Sequence, residues 1–313
     1  MPECSERVDR FLSSIASGSH DIQAPDSYGM APIASVHDAG YLEFLATAHD
    51  RWRQLPGAGE TVLPNVHPSR HRAGRPEHVV GQAGYYMADT ACPITAGTWT
   101  AAQAAADVAV ATADAVLAGA PVAYGLCRPP GHHAMADMAG GFCYLNNVAI
   151  AAGRCRDRGM ARVAILDVDV HHGNGTQQIF YDSDDVLFVS LHGNPAGFYP
   201  YYSGYADERG DGAGLGFNLN LPLPPGTGDD GFLQALGGAL DAVRDFDPGL
   251  VLISLGLDAQ ENDPLGILKV TTAGFAAVAR RIADLGMPTV LIQEGGYLCD
   301  ELDANLAAFL AEF

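Results

Sequence analysis

Five short runs of the chain are apolar on both faces: VAYGLC (122–127), RVAILDVD (162–169), DVLFVSLH (185–192), LVLISLG (250–256) and PTVLIQEGG (288–296). A strand without a polar face has to be covered on both sides. Helix-like stretches lie between and after them, at 99–117 (alanine-rich), 145–158, 230–246, 273–285 and 302–309. Strands alternating with helices predict an α/β fold with a central, mostly parallel sheet and helices on both faces. In such sheets ligands sit beyond the carboxyl ends of the strands.

The polar residues obey that rule. RPPGHH follows one run, DVDVHHGNG ends another, LDAQENDP follows a third and EGGY ends a fourth. At roughly 150 residues per domain, 313 residues would allow two domains. With no internal repeat and no low-complexity linker, four strand ends that all carry chemistry predict instead one domain over 1–313 with one site. Residues 47–98 stand apart, rich in Pro, Gly, His and Arg and weakly periodic. A connection this long inside a compact domain predicts a functional segment or an interaction surface rather than a plain linker.

Asp167, Asp169 and His171 recur at every second residue, on one side for as long as the backbone is extended. Two readings stand. A carboxylate and an imidazole two residues apart reach one metal, with the preceding aspartate supporting from behind; alternatively the group is a cap and turn cluster, since Asn174-Gly175 is a good turn. A third ligand has to come from elsewhere, and Asp258 is the best placed, a loop cap being its other role. Two carboxylates and one histidine leave a position open for water, as a catalytic zinc requires. His132 and His133 follow a turn stiffened by two prolines and released by a glycine; beside a metal they supply a general base and a general acid. Tyr297, after two glycines, is a candidate oxyanion donor or a core aromatic.

Composition closes off other classes. A formal net charge of −20 disfavours nucleic acid and weakly attracts a cationic substrate. The first residues carry no apolar leader and no apolar run approaches 18 residues, so a soluble, cytoplasmic protein with no membrane partner is expected. The six cysteines, Cys4, Cys92, Cys127, Cys143, Cys155 and Cys299, form no C-x-x-C pair, which predicts free thiols and no thiolate zinc site. GDGAGLG (210–216) imitates a phosphate loop but reads as a plain loop, Asn174-Gly175-Thr176 is a sequon that a cytoplasmic chain would not use, and no G-x-S-x-G elbow supports a serine hydrolase.

Taken together, CRPPGHHA, GGFCYLNNVAIAA, ILDVDVHHGNGTQQIFY, FVSLHG, SLGLDA, DPLG and EGGY resemble, in order over roughly residues 27–312, the histone deacetylase family of the arginase/deacetylase superfamily. HHGNG is closer to the class II form, and VHDAGYLEFL, GYY, PITAGTW and SGYADE are most similar to acetylpolyamine amidohydrolases. The resemblance implies a zinc-dependent hydrolase of linear amides, with Asp169, His171 and Asp258 holding zinc; iron(II) or cobalt(II) suits the same donors. It implies that His133 is the base toward the metal-activated water and then the acid toward the leaving amine. His132, paired with Asp167, would stabilise charge, and Tyr297 would polarise the carbonyl. Asn174 stands where class I members carry an aspartate, so His133 should titrate lower here; His172 would be structural.

By the same resemblance Phe142 and Tyr199 wall a tunnel, with Gly141, Gly295 and Gly296 beside the substrate. Asp167, Asp169 and His171 with Ser190 and Leu191 form a structural potassium site. Residues 47–98 correspond to an insertion that pairs subunits and narrows the entrance, implying a homodimer and a small-molecule amide. Two departures bear on substrate. The family opens with a strand and loop that wall the site, whereas this chain begins at the helix-like SERVDRFLSSI. The polyamine enzymes carry entrance glutamates, two of which fall on Val80 and Ala91 here, so acidic charge would have to come from Asp89 or Glu261. The competing expectations are a protein acetyl-lysine deacylase and a non-hydrolytic acyl-amine-binding protein; an arginase-like ureohydrolase would need a second metal cluster.

Overall fold

The computed structural model describes residues 2–16, 18, 20–68 and 74–313. In chain order the elements are α1 (Glu6–Ala16), α2 (Ala31–Ala34), α3 (Ala39–Arg53), α4 (Val79–Tyr86), α5 (Thr98–Leu117), β1 (Val122–Gly125), α6 (Asn147–Asp157), β2 (Val163–Asp167), α7 (Asn174–Phe180), β3 (Val186–Gly193), β4 (Asn218–Leu223), α8 (Asp229–Phe246), β5 (Val251–Leu255), α9 (Thr272–Ala283), β6 (Thr289–Gln293) and α10 (Leu302–Leu310). Each of the five apolar runs contains a strand and each of the five helix-like stretches a helix.

The six strands are ordered β1-β6-β5-β2-β3-β4, and every neighbouring pair is parallel. The strand that sequence reading missed is β4. Its residues NLNLPL carry two asparagines and Pro222, which masks a strand; it lies at the sheet edge, where proline's missing N–H is tolerated. The GDGAGLG stretch before it is a loop with one 3₁₀ turn, as expected.

Alternating β2 residues feed the two sides of the sheet. Ala164 and Leu166 pack under α8, α9, α10 and α1, while Val163 and Ile165 pack under α5 and α6. The alanine richness of α5 follows from being buried twice. Ala105, Ala109 and Ala113 face the sheet, and Ala102, Ala106 and Val110 face a third cluster built by α3 and α4. That cluster absorbs much of residues 47–98: Val62 and Ile94 form a bridge and, with Cys92, are buried in it. Residues 69–73 of the stretch lie outside the described residues.

From β2 the chain moves outward through β3 and β4, then returns to place β5 on the other flank of β2. The crevice beyond the ends of β2 and β5 is therefore the switch point of the sheet, where ligands bind in such folds.

Candidate metal centre and active site

β2 stops at Asp167, so the alternation of the next residues is maintained by side chains rather than by a strand. Asp167 Oδ1 accepts the N–H of Asp169 at 3.1 Å, and Asp169 Oδ1 accepts that of His171 at 2.8 Å. Each carboxylate caps the turn that follows it, and these bonds leave the other carboxylate oxygens for a ligand role. Asp258, from the end of β5, accepts the N–H of Val170 with Oδ1 at 2.9 Å while its Oδ2 lies 3.2 Å from His171 Nδ1. One oxygen holds the backbone and the other faces the site.

Ligand atoms of Asp169, His171 and Asp258 lie within 4.8 Å of one another, and all three residues are buried. No Lys or Arg pairs with either carboxylate among the described residues. Burial alone would lower the His171 pKa, but hydrogen bonds to Asp169 and Asp258 and their charge push it up to about 9. Two buried carboxylates against one imidazole suit a divalent cation, and the mixed oxygen and nitrogen donors fit zinc. Gly295 completes the centre from β6. Its N–H reaches Asp169 Oδ2 at 2.8 Å, and a Cβ there would lie 2.1 Å from Asp258 Oδ2.

The two histidines after β1 lie 4.0 Å apart between ring centroids, tilted by 42°, but have different partners. His132 Nδ1 meets Asp167 Oδ2 at 3.0 Å; burial opposes its charge, yet the Asp169 and Asp167 carboxylates carry its pKa up to about 10. His133 donates Nδ1–H to Asn174 Oδ1 at 2.7 Å, an orientation that leaves Nε2 as its base. Burial, with the charge on His132 and His171 adding to it, holds its pKa well below the usual histidine value. The sequon falls on this buried Asn174. His172 is buried away from the site, with Nε2 3.2 Å from Asn220 Oδ1.

Tyr297 follows β6 and is buried, and no hydrogen-bond partner for its hydroxyl exists among the described residues. Its backbone is held by Asp263, which accepts its N–H at 2.8 Å. Phe142 meets its ring edge-on at 5.9 Å, and Tyr199 meets His133 edge-on at 4.9 Å. Phe142 has φ +69° and Gly141 φ +51°. For a phenylalanine that backbone costs about 1–3 kcal/mol, a strain typical of functional segments.

The structure brings every expected zinc, acid–base and tunnel residue to the switch point. Asp167 also lies in register beside Ser190, next to Leu191. Other residues of the site were given no role by the sequence. Arg7, 1 % exposed, sits 4.8 Å over the Tyr297 ring and donates to the carbonyls of Gly296 and Glu294 at 2.5 and 2.6 Å. Glu294 accepts the N–H groups of Gly131 and His132 at 2.6 and 3.1 Å, tying the histidine turn to β6. His37 accepts the N–H of Asn146 at Nε2 and faces the Met135 carbonyl with Nδ1, so it steadies the loop that presents Phe142. Lone residues at helix ends give no spacing signal; only the EGGY context pointed toward Glu294.

The histone deacetylase domain family matches residues 1–313. An acetylpolyamine amidohydrolase of Burkholderia pseudomallei is 47% identical over 312 residues, spanning 99% of this chain and 91% of its own. That of Mycoplana ramosa is 42% identical over 98% of this chain and 91% of its own. The crystal structure of the acetylpolyamine aminohydrolase from Burkholderia pseudomallei superposes with a TM-score of 0.96 at 46% identity, covering 100% of this chain and 91% of that one. With the family match spanning the whole chain and relatives this similar over nearly all of it, the chain belongs to the histone deacetylase family.

Proposed function

We infer that the protein is a metal-dependent amidohydrolase that removes a small acyl group from a primary amine, and that its substrate is a small molecule of the acetylpolyamine type. The observation that carries this is the convergence of Asp169, His171 and Asp258 with two differently partnered histidines and the free hydroxyl of Tyr297. Asp169, His171 and Asp258 would hold zinc, which when bound acidifies water and polarises a carbonyl. His133, neutral at Nε2, takes the proton of the attacking water and passes it to the departing nitrogen. His132, kept cationic by Asp167 and Asp169, and the Tyr297 hydroxyl stabilise the oxygen on which negative charge develops. Phe142 and Tyr199 align the acyl-bearing chain and exclude water.

The names of the relatives support the acylated-amine substrate. The net charge of −20 suits a cationic amine. Six free cysteines support an enzyme of a reducing, cytoplasmic setting, and among the described residues no helix is long and apolar enough to cross a membrane. The Asp167–His171 turn beside Ser190 and Leu191 is the proposed structural potassium site. The 47–98 segment, of which Val62, Val79, Ala83, Tyr86, Met87, Cys92 and Ile94 pack on the outside of α5, is proposed to pair two subunits. Light scattering at micromolar concentration should then give a dimer mass; a monomer would end that part of the reading.

The test is metal analysis of purified protein with turnover of acetylated diamines and acetyl-lysine peptides. His133→Ala and Tyr297→Phe should each lower kcat about 10²–10³-fold while metal content stays the same. Unchanged activity in both would overturn the mechanism. Much faster turnover of peptides would make the protein a protein deacylase, and metal retention without turnover of any amide would make it a binding protein.

A further inference from the structure

We propose that Asp89 is a positioning residue that keeps the two aromatic walls of the tunnel at a fixed separation, a role that rests on Phe142 and Tyr199 being those walls. A single carboxylate oxygen, Oδ2, accepts the Tyr199 O–H at 2.7 Å and the Gly141 N–H at 3.1 Å. The other oxygen accepts the N–H of Ala91 at 2.8 Å, which fixes the side chain. Three separate loops meet at this one group: Asp89 comes from the loop after α4, Gly141 from that after β1, and Tyr199 from that after β3.

The backbone supports the clasp. Ala139 N–H reaches the Tyr86 carbonyl at 2.8 Å and Ala88 N–H reaches the Ala139 carbonyl at 2.7 Å, so the Asp89 loop is laced to the Phe142 loop. The left-handed Gly141–Phe142 pair needs an external hold, and the Gly141 N–H is where Asp89 supplies it. A Cβ on Gly141 would come within 2.3 Å of the His133 ring and 2.9 Å of the Tyr199 hydroxyl, so both walls and the base are packed against one point. A phenylalanine would serve equally as an apolar wall; the hydroxyl of Tyr199 is spent on Asp89. With Oδ2 already holding two donors, the group is suited to bracing rather than to receiving a cationic amine.

Asp89→Ala, Asp89→Asn and Tyr199→Phe are to be compared, with a cationic acetylated diamine and a neutral acetyl amide as substrates. Asp89→Ala should raise KM about tenfold or more for both substrates with a smaller change in kcat, as expected for losing the two of its three hydrogen bonds that hold the tunnel walls. Asp89→Asn keeps an oxygen that can accept the Tyr199 and Gly141 donors, with its amide nitrogen then facing the Ala91 N–H, and should reverse most of the KM increase seen in Asp89→Ala. Unchanged KM in Asp89→Ala overturns the proposal. So does an Asp89→Asn variant impaired toward the cationic substrate alone, since the charge rather than the brace would then matter. Backbone hydrogen exchange of peptides covering 139–145 and 198–202 reads the same brace without turnover. It should quicken about tenfold in Asp89→Ala and not in Asp89→Asn, and unaltered exchange in Asp89→Ala is a second way to overturn it. An inactive wild type would defeat the amidohydrolase reading while exchange still decides this one. Should Asp89→Ala fail to fold, Tyr199→Phe carries both measurements, with faster exchange at 139–145 expected and no change overturning the proposal.

Discussion

His133 gives its Nδ1–H to a neutral amide, Asn174, at 2.7 Å, whereas His132 faces the Asp167 carboxylate at 3.0 Å. Two adjacent imidazoles are thereby separated, one held cationic and the other held neutral, by partners that differ in a single atom. A base with a lowered pKa stays unprotonated well into acid, so kcat/KM should remain flat below pH 6.5 before its acid limb begins. Asn174→Asp puts a carboxylate against Nδ1–H and should move that limb upward by about 1–3 pH units. A pH–rate profile with the limb unmoved would show that the neutral partner has no such effect. This pair was legible in the sequence because both members belong to motifs. Arg7 was not, because one buried residue among helical neighbours carries no spacing, and only tertiary contact reveals its partners.

At the scale of elements, the strands with apolar residues on both faces were the most legible part of the chain. β4 was the exception: its buried positions include Asn218 and Asn220, which donate to Gln177, and with Pro222 beside them it forms no run apolar on both faces. The chain from 47 to 98 was read as weakly periodic because its order lies in contacts, the Val62–Ile94 bridge and the cluster under α3 and α4, rather than in a run of one period. The loop after β6 is the tightest fit in the site. Gly295 lies so close to Asp258 and Asp169 that a methyl group would meet their oxygens at 2.1 and 2.5 Å. Gly295→Ala should therefore lower metal content on purification and destabilise the fold by about 1–3 kcal/mol, the usual cost of forcing extra atoms into a packed interior. Wild-type metal content and melting temperature in that variant would count against the fit.

Across the whole molecule, acid should act first through histidines that the fold keeps neutral. Burial lowers His37 to about 4, outweighing its hydrogen bonds to the carbonyls of Ala136 and Met135, while Nε2 accepts from Asn146. Its folded pKa is below the unfolded value of about 6.5, so the unfolded chain binds more protons between those limits. The stability is complete above pH 6.5 and is lost as pH falls toward 4, by up to about 3 kcal/mol. Glu294, raised by burial to about 7, titrates with the opposite sign in the same range, so the comparison with His37→Gln isolates the histidine. The melting-temperature gap between wild type and that variant should narrow from pH 7 to pH 5; a constant gap would exonerate His37.

The switch point between β2 and β5 has a temporal side as well. Asp169 and His171 are near neighbours in the chain, but Asp258 joins them from 87 residues beyond His171, and the Gly295 amide that steadies Asp169 lies 126 residues on. During synthesis the first half of the centre leaves the ribosome long before the second. A nascent chain ending before β5 offers an ion two donors and a loose grip, so a tightly held ion becomes a certificate that the last strands have docked.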